Sequence, residues 1–138
     1  MIIREYQPSD ADYIIKNIPS KYPKKRAEQL KIVENCQSYN CFVAEEGVIK
    51  GFVIFQDLGD KQSYYIVQIT VAELKKGIGT KLMKQVFAAV GQGGQVSLNV
   101  NTTNSAAIVF YEKLGFEKSG ETKDYIKGED KYWYKKVL

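Results

Sequence analysis

The stretch from Ser63 to Val90 limits the fold more than any other part of the chain. Ser63–Val71 (SYYIVQITV) is a run of β-branched and aromatic residues and reads as a strand. The passage Ala72-Glu73-Leu74-Lys75-Lys76 then leads into Gly77-Ile78-Gly79-Thr80. From Gly77 to Val90, the residues Ile78, Leu82, Met83, Val86, Phe87 and Val90 recur at helical spacing and mark the clearest amphipathic helix. A strand, a glycine pair and a helix in that order make a natural anion seat. The first N–H groups of a helix have no partners within it, and its dipole is positive there. Glycine lets the backbone come close to a phosphate. Thr80 adds a hydroxyl, and Lys75, Lys76, Lys81 and Lys84 add positive charge.

The loop alone does not name its ligand. A P-loop needs G-x-x-x-x-G-K-[ST]; here Gly79-Thr80-Lys81 has no earlier glycine at the right offset. A dinucleotide fingerprint needs a third glycine where Leu82 stands. A plain helix start with two packing glycines accounts for Gly77 and Gly79 equally well.

The remaining elements place this unit in a mixed architecture. Met1–Tyr6 alternates as a strand. Ser9 with Asp12 resembles a capping box ahead of a helix from Asp10 to Ile18. Pro23 opens a second helix running to about Cys36. Cys41–Glu45 and Val48–Gln56, joined by Glu46-Gly47, read as a hairpin. Val96–Val100 alternates as a strand, and Asn104–Leu114 is a helix with Ala107, Phe110, Tyr111 and Leu114 on one face, ended by Gly115. Phe116–Ser119 and Lys131–Val137 are the final strands. This order predicts an α/β mixed sheet with helices packed on it.

Composition narrows the chemistry. The 138 residues fit a single domain, 1–138, with no repeat or interdomain linker. The balance of 44% hydrophobic and 26% charged residues is that of a folded globular chain. No apolar run approaches the ~20 residues that span a bilayer, and MIIREYQPSD has no secretory pattern, so a cytoplasmic location without membrane partners is expected. The chain has no histidine, which removes Ser-His, Cys-His and His-metal chemistry together. Cys36 and Cys41 read as ordinary reduced thiols, and no metal is expected. The net charge of +4 comes from dispersed lysines, a solvated surface that speaks against a nucleic-acid partner and suits a polyanionic small molecule.

A second segment bears on the first. Asn104, Ala107, Tyr111, Gly115 and Phe116 follow the strand Leu98-Asn99-Val100 at fixed spacings. They match position by position the N-x-x-A-x-x-x-Y-x-x-x-G-F segment of the GNAT acetyltransferases. Gly77 and Gly79 match that family's [QR]-x-x-G-x-[GA] loop. The chain thus resembles the GNAT superfamily in element order throughout and in specific residues between about Ile66 and Phe116. Two loop positions depart from the pattern: Leu74 replaces the usual Gln or Arg, and Lys75 replaces a frequent glycine. Asn99 stands where a branch that acetylates protein N-termini often carries an acid, and Ser63–Val71 has no carboxylate to serve as base.

The resemblance implies a mostly antiparallel sheet of about six to seven strands flanked by about four helices, with a splayed strand pair holding the cofactor. It implies direct transfer of the acetyl group of acetyl-CoA to a primary amine in a ternary complex. Leu74, Lys75, Lys76, Gly77, Ile78, Gly79 and Thr80 would hold the pyrophosphate. Val67, Gln68 and Ile69 would run beside the pantetheine arm, with the Ile69 N–H facing the thioester carbonyl, and Asn104 would bond the arm or cap its helix. Tyr111 would donate a proton to the departing thiolate. The base stays open among Tyr64, Tyr65, a water near Gln68 and Glu45. The acceptor is a small-molecule amine or a protein or peptide amine, read by residues 10–36 and by loops near 120–130, and the family also admits homodimers. The competing reading is a non-catalytic acyl-CoA-binding or regulatory module on the same fold.

Overall fold

The computed structural model describes residues 1–74 and 76–138. Seven strands form one sheet: β1 (Ile2–Glu5), β2 (Tyr39–Glu46), β3 (Val48–Asp57), β4 (Ser63–Val71), β5 (Gln95–Asn101), β6 (Glu117–Ile126) and β7 (Glu129–Val137). Their order is β1-β2-β3-β4-β5-β7-β6. All neighbours are antiparallel except β4 and β5, which run parallel. The parallel step requires a crossover. It is supplied by α3 (Ile78–Val90), while α1 (Ala11–Asn17), α2 (Pro23–Asn35) and α4 (Ser105–Lys113) complete the helices. This is the mixed sheet that the order of elements predicts, mostly antiparallel as the resemblance implies.

Alternation along β3 divides the interior in two. Gly51 to Phe55 are buried without a break because both faces of this strand are covered. Val53 and Phe55 pack with Ile78, Leu82, Met83 and Val86 of α3 and with Tyr111 of α4. Phe52 and Ile54 point the other way, against Ile14 and Ile18 near α1 and Leu30 of α2. Helices therefore lie on both sides of the sheet, and each side has its own core.

Two local expectations change. The Ser9–Asp12 capping box is not formed; a 3-10 turn, Pro8–Asp10, precedes α1. Asp10 does the capping instead, accepting the Gln7 N–H at 2.7 Å and both terminal guanidinium nitrogens of Arg4 at 2.9 Å. The arginine on β1 draws this carboxylate inward, so Asp10 becomes buried. The two last strands are also longer than their apolar residues suggest. β6 is an edge strand with mostly exposed residues, so it can be largely polar and still pair with β7.

The α1–α2 connection is held by a buried charge. Arg26 is 2% exposed and donates to the carbonyls of Ile15 at 3.2 Å, Pro19 at 3.3 Å and Ile18. It satisfies carbonyls that the end of α1 leaves open, where a cation is also favoured by the helix dipole. Cys36 and Cys41 are free thiols. None of the described helices is long and apolar enough to cross a membrane.

Candidate active site

β4 and β5 pair only at their beginnings, Ser63–Tyr65 against Gln95–Ser97. Beyond that point they separate. The cause lies on the other side of β4, where Phe55 pairs with Ile66 and Ile54 with Gln68, so Val67 is an extra residue in the ladder. Such a bulge bends its strand. A cleft of about 270 Å³ opens between the two strands. Val67, Gln68 and Ile69 line one side of it, and Leu98, Asn99, Val100 and Asn101 the other.

The cleft exposes unused backbone. The Ala72 N–H donates to the Lys50 carbonyl of β3 at 2.7 Å. N–H groups alternate edges along a strand, so the Ile69 N–H points away from β3 and into the gap that β5 has left. A backbone donor facing a cavity is suited to an extended amide ligand or to a developing oxyanion. Gln68 adds a side-chain group. Its Oε1 is buried and has no partner among the described residues. A buried acceptor of this kind is costly unless a bound molecule donates to it.

At the far end of β4 the chain turns into α3. Gly77 is the N-cap, with φ +74° in the left-handed region that glycine adopts without strain. Gly79 lies against α4: a Cβ at this position would stand 3.1 Å from Phe110 Cζ. Its lack of a side chain lets the start of α3 approach the Phe110 ring of α4. Ile78 is buried in the core, so its side chain anchors the helix and only its backbone is left for a ligand. Leu74 is 77% exposed and Lys76 is exposed, and neither lines the cleft. Thr80, half-buried, belongs to the first turn of α3. Lys75 lies outside the described residues.

The α4 residues meet β4 across the cleft. Asn104 is the N-cap of α4, its Oδ1 accepting from the Ala107 N–H at 3.2 Å, and it also lines the cleft. Tyr111 lines the same cavity while its ring is held edge-on by Phe110 and Phe116, with centroids 5.3 and 5.8 Å away. Burial, and to a lesser degree Tyr65, pushes its phenol up to about 12. Tyr111 is therefore fully protonated at neutral pH and is a hydrogen-bond donor.

Among the candidate bases, Glu45 lies elsewhere. It is on β2, two strands from β4, and pairs with Arg4 at 3.3 Å. Tyr64 packs against Phe55 on the α3 side. Tyr65 faces the opposite side, where its hydroxyl accepts from Asn99 Nδ2 at 2.8 Å and Trp133 lies 6.4 Å from its ring. Burial pushes the Tyr65 phenol up to about 12, so it too holds its proton.

The cleft also gathers residues to which the sequence gives no individual role, among them Lys21, Tyr22 and Glu129 from the regions 10–36 and 120–130 expected to read the acceptor. Lys21 and Tyr22 come from the α1–α2 connection, Asn101 from β5, and Glu129 and Lys131 from β7. Only Asn99 and Asn101 left a trace in the sequence, as amides alternating with Leu98 and Val100 on a strand whose other face is buried. Glu129 left none, because it lies in a polar hairpin with many other charges. Among the described residues, no cluster of three metal-ligating side chains occurs.

Residues 37–118 match the model of the acetyltransferase (GNAT) domain. The chain is 31% identical over 129 residues to a 5-NmdU N-acetyltransferase of Pseudomonas phage PaMx11, covering 88% of this chain and 91% of that protein. It is 31% identical over 153 residues to an N-alpha-acetyltransferase of Sulfurisphaera tokodaii, covering 94% and 89%. Its fold superposes on the ribosomal-protein-S18-alanine N-acetyltransferase of Escherichia coli with a TM-score of 0.78 at 21% identity, covering 97% of this chain and 91% of that one.

Proposed function

The chain belongs to the GNAT family and is an N-acetyltransferase, and on that premise we propose that the β4–β5 cleft binds acetyl-CoA and that Tyr111 is the general acid. The observation that carries this reading is the β4–β5 cleft itself, where the open edge of β4 meets Asn104 and Tyr111 of α4. The residues fit such a donor. The orphaned Gln68 Oε1 and the Ile69 N–H match the donors and acceptors of a pantetheine chain, and the backbone of Gly77–Thr80 at the start of α3 suits a diphosphate. Acetyl-CoA supplies an activated thioester whose carbonyl the amine attacks.

Each residue then has a task. Gly77, Ile78, Gly79 and Thr80 hold phosphate through backbone N–H groups, with the Thr80 hydroxyl beside them, and the charges of Lys75 and Lys76 and the backbone of Leu74 add to that seat. Val67, Gln68 and Ile69 align the arm as an added strand would, and Asn104 closes the cleft from α4. The Ile69 N–H is the oxyanion donor, worth about 3 kcal/mol in the transition state. Tyr111 gives its proton toward the leaving sulfur, a contribution on the order of 10²–10⁴-fold. No carboxylate of β4 stands ready as base. The acceptor therefore reaches the cleft as a neutral amine or loses its proton there to a group outside β4.

The names of the relatives point to acceptors of different kinds, so family membership leaves the acceptor of this chain to its own residues. The test pairs binding with turnover. Calorimetry with CoA is expected to give a saturable isotherm, and acetyl-CoA with a panel of primary amines is expected to release free thiol. No association at millimolar CoA would overturn the cofactor assignment. Binding without thiol release from any amine would favour the non-catalytic module.

A further inference from the structure

The cleft extends beyond Tyr111 to a carboxylate that the transfer chemistry above does not use. Glu129 opens β7 and accepts three hydrogen bonds: from Asn101 Nδ2 at 2.6 Å, from Lys21 Nζ at 3.2 Å and from the Tyr22 hydroxyl at 3.3 Å. Asn101 is itself fixed, because its Oδ1 accepts the N–H of Thr103 at 3.1 Å and the Thr103 hydroxyl at 2.8 Å. The carboxylate is thus held in place by β5. The Lys21 hydrogen bond, first, and its charge, next, draw Glu129 below the usual carboxylate range, so it is ionised at neutral pH.

The Lys21 contact is of a different kind. Its side chain is 72% exposed, against 21% for Glu129, and it reaches across from the α1–α2 connection. An ion pair made by a long exposed side chain contributes little, because solvent screens it and the side chain loses rotamer freedom. The Lys21 ammonium also lies 5.5 Å from the centre of the Tyr22 ring. Carboxylate, phenol oxygen and aromatic face together compose a seat for a primary ammonium. We propose that Glu129, Asn101 and Tyr22 form the seat for an ammonium group of the acceptor, and that the Lys21 side chain fills it until the acceptor displaces it.

This inference rests on the acetyl-transfer reading for the word acceptor, and it narrows the acceptor's chemistry. The nitrogen that attacks must be neutral, whereas Glu129 selects a charged one. An ammonium that stays on Glu129 cannot attack, so an acceptor that keeps the seat filled during transfer is a diamine: a primary amine with a second cationic nitrogen a few carbons away. Lys131, two residues along β7, also lines the cleft, and after Lys21 its charge helps to draw Glu129 below the usual carboxylate range. Exchange of the Lys21 ammonium for that of the acceptor leaves the charge of the cleft unchanged.

The test uses the full ¹⁵N-labelled chain with 1,4-diaminobutane and butylamine as probes, each titrated with and without CoA, and reads the Asn101 side-chain amide. Diaminobutane is expected to shift that resonance and to bind about tenfold more tightly than butylamine. Glu129→Gln, nearly isosteric, is expected to remove the preference. Lys21→Ala is expected to tighten diaminobutane about fivefold, since it removes a competitor; a purely structural ion pair gives the opposite sign. Equal binding of the two amines, no shift at Asn101, or weaker binding in Lys21→Ala overturns the inference. Absence of CoA binding would defeat the acetyl-transfer reading, while the CoA-free titration would still judge the ammonium seat.

Discussion

The face of the sheet covered by α3 and α4 and the face covered by α1 and α2 are held by different forces. Under α3 and α4, fourteen buried residues from Ala44 to Tyr134 form one apolar core around Leu82, Met83 and Val86. Under α1 and α2 the core has nine members, and here lie both charged residues that are buried among the described ones, Asp10 and Arg26. Both cores abut β3, yet the first is fixed by packing density and the second by directed polar contacts as well. The difference follows the division of labour at the cleft. On the reading proposed above, the cofactor would lie toward α3 and α4 and the acceptor toward the α1–α2 connection.

The largest expected effect separates the chemistry from the packing of the first face. Tyr111→Phe keeps the edge-on contacts with Phe110 and Phe116 and removes only the hydroxyl. It should lower kcat on the order of 10²–10⁴-fold and leave CoA affinity and Tm nearly unchanged. In the wild type, a phenol at about 12 should give no falling limb from Tyr111 in a pH–rate profile below about pH 11. An unchanged rate in Tyr111→Phe would remove the tyrosine from the mechanism and leave it as a core residue.

The second prediction breaks the polar lock of the other face. Arg26→Ala leaves the carbonyls of Ile15, Ile18 and Pro19 without their donor and opens a void under α2. Urea denaturation should show a loss of about 3 kcal/mol. CoA affinity at subdenaturing temperature should change much less, because α3 and α4 do not touch this arginine. Equal losses in stability and cofactor affinity would show that the two faces are one cooperative unit.

A smaller effect is expected at Gly79. A methyl group there would meet Phe110 Cζ at 3.1 Å and push the start of α3 away from α4. Gly79→Ala should raise the KM for acetyl-CoA about tenfold, with the acceptor KM nearly constant. Parallel rises in both constants would contradict the assignment of the cofactor to the α3–α4 side.

The smallest effect concerns acid. Arg4, followed by the Gln7 N–H, holds Asp10 below the usual carboxylate range, against the opposing influence of burial. A depressed carboxylate stabilises the fold above its unfolded value of about 3.9, and that stability is lost as pH falls through the folded value. Tm should therefore be flat from neutral pH down to about pH 5 and decline below about pH 4. Asp10→Asn should lower the plateau by about 1–2 kcal/mol and reduce the acid slope. An unaltered slope would place the acid sensitivity elsewhere, for example at Asp60, whose carboxyl is lowered by the N–H groups of Gln62 and Ser63.

The same division explains what the sequence disclosed. The α3–α4 side was legible because its constraints are local: Ile78 to Val90 repeat at helical spacing, Gly77 and Gly79 stand between strand and helix, and Asn104 and Tyr111 lie on one helix at a fixed interval. The cleft itself was foreseen only through resemblance, since its direct cause, the Val67 bulge, carries no glycine or proline to mark it. The α1–α2 side was opaque for a different reason. Arg26 looks like the fourth member of a basic run from Lys21 until the carbonyls of Ile15, Ile18 and Pro19 turn to it, and Glu129 looks like one more acid in a polar hairpin until Lys21, 108 residues away, is brought to it. Asp10 was read as a helix start, while its actual role depends on Arg4 across the turn. Long-range polar contacts leave no periodicity, so they become visible only in three dimensions.

The central claim is that β4 and β5 part to receive the pantetheine arm of CoA and bring its sulfur to Tyr111. A crystal structure of the CoA complex tests it most directly. The arm should lie along Val67–Ile69, the diphosphate at the start of α3, and the sulfur within hydrogen-bonding distance of the Tyr111 hydroxyl. A CoA molecule bound outside the β4–β5 cleft, or one whose sulfur faces away from Tyr111, would contradict the account.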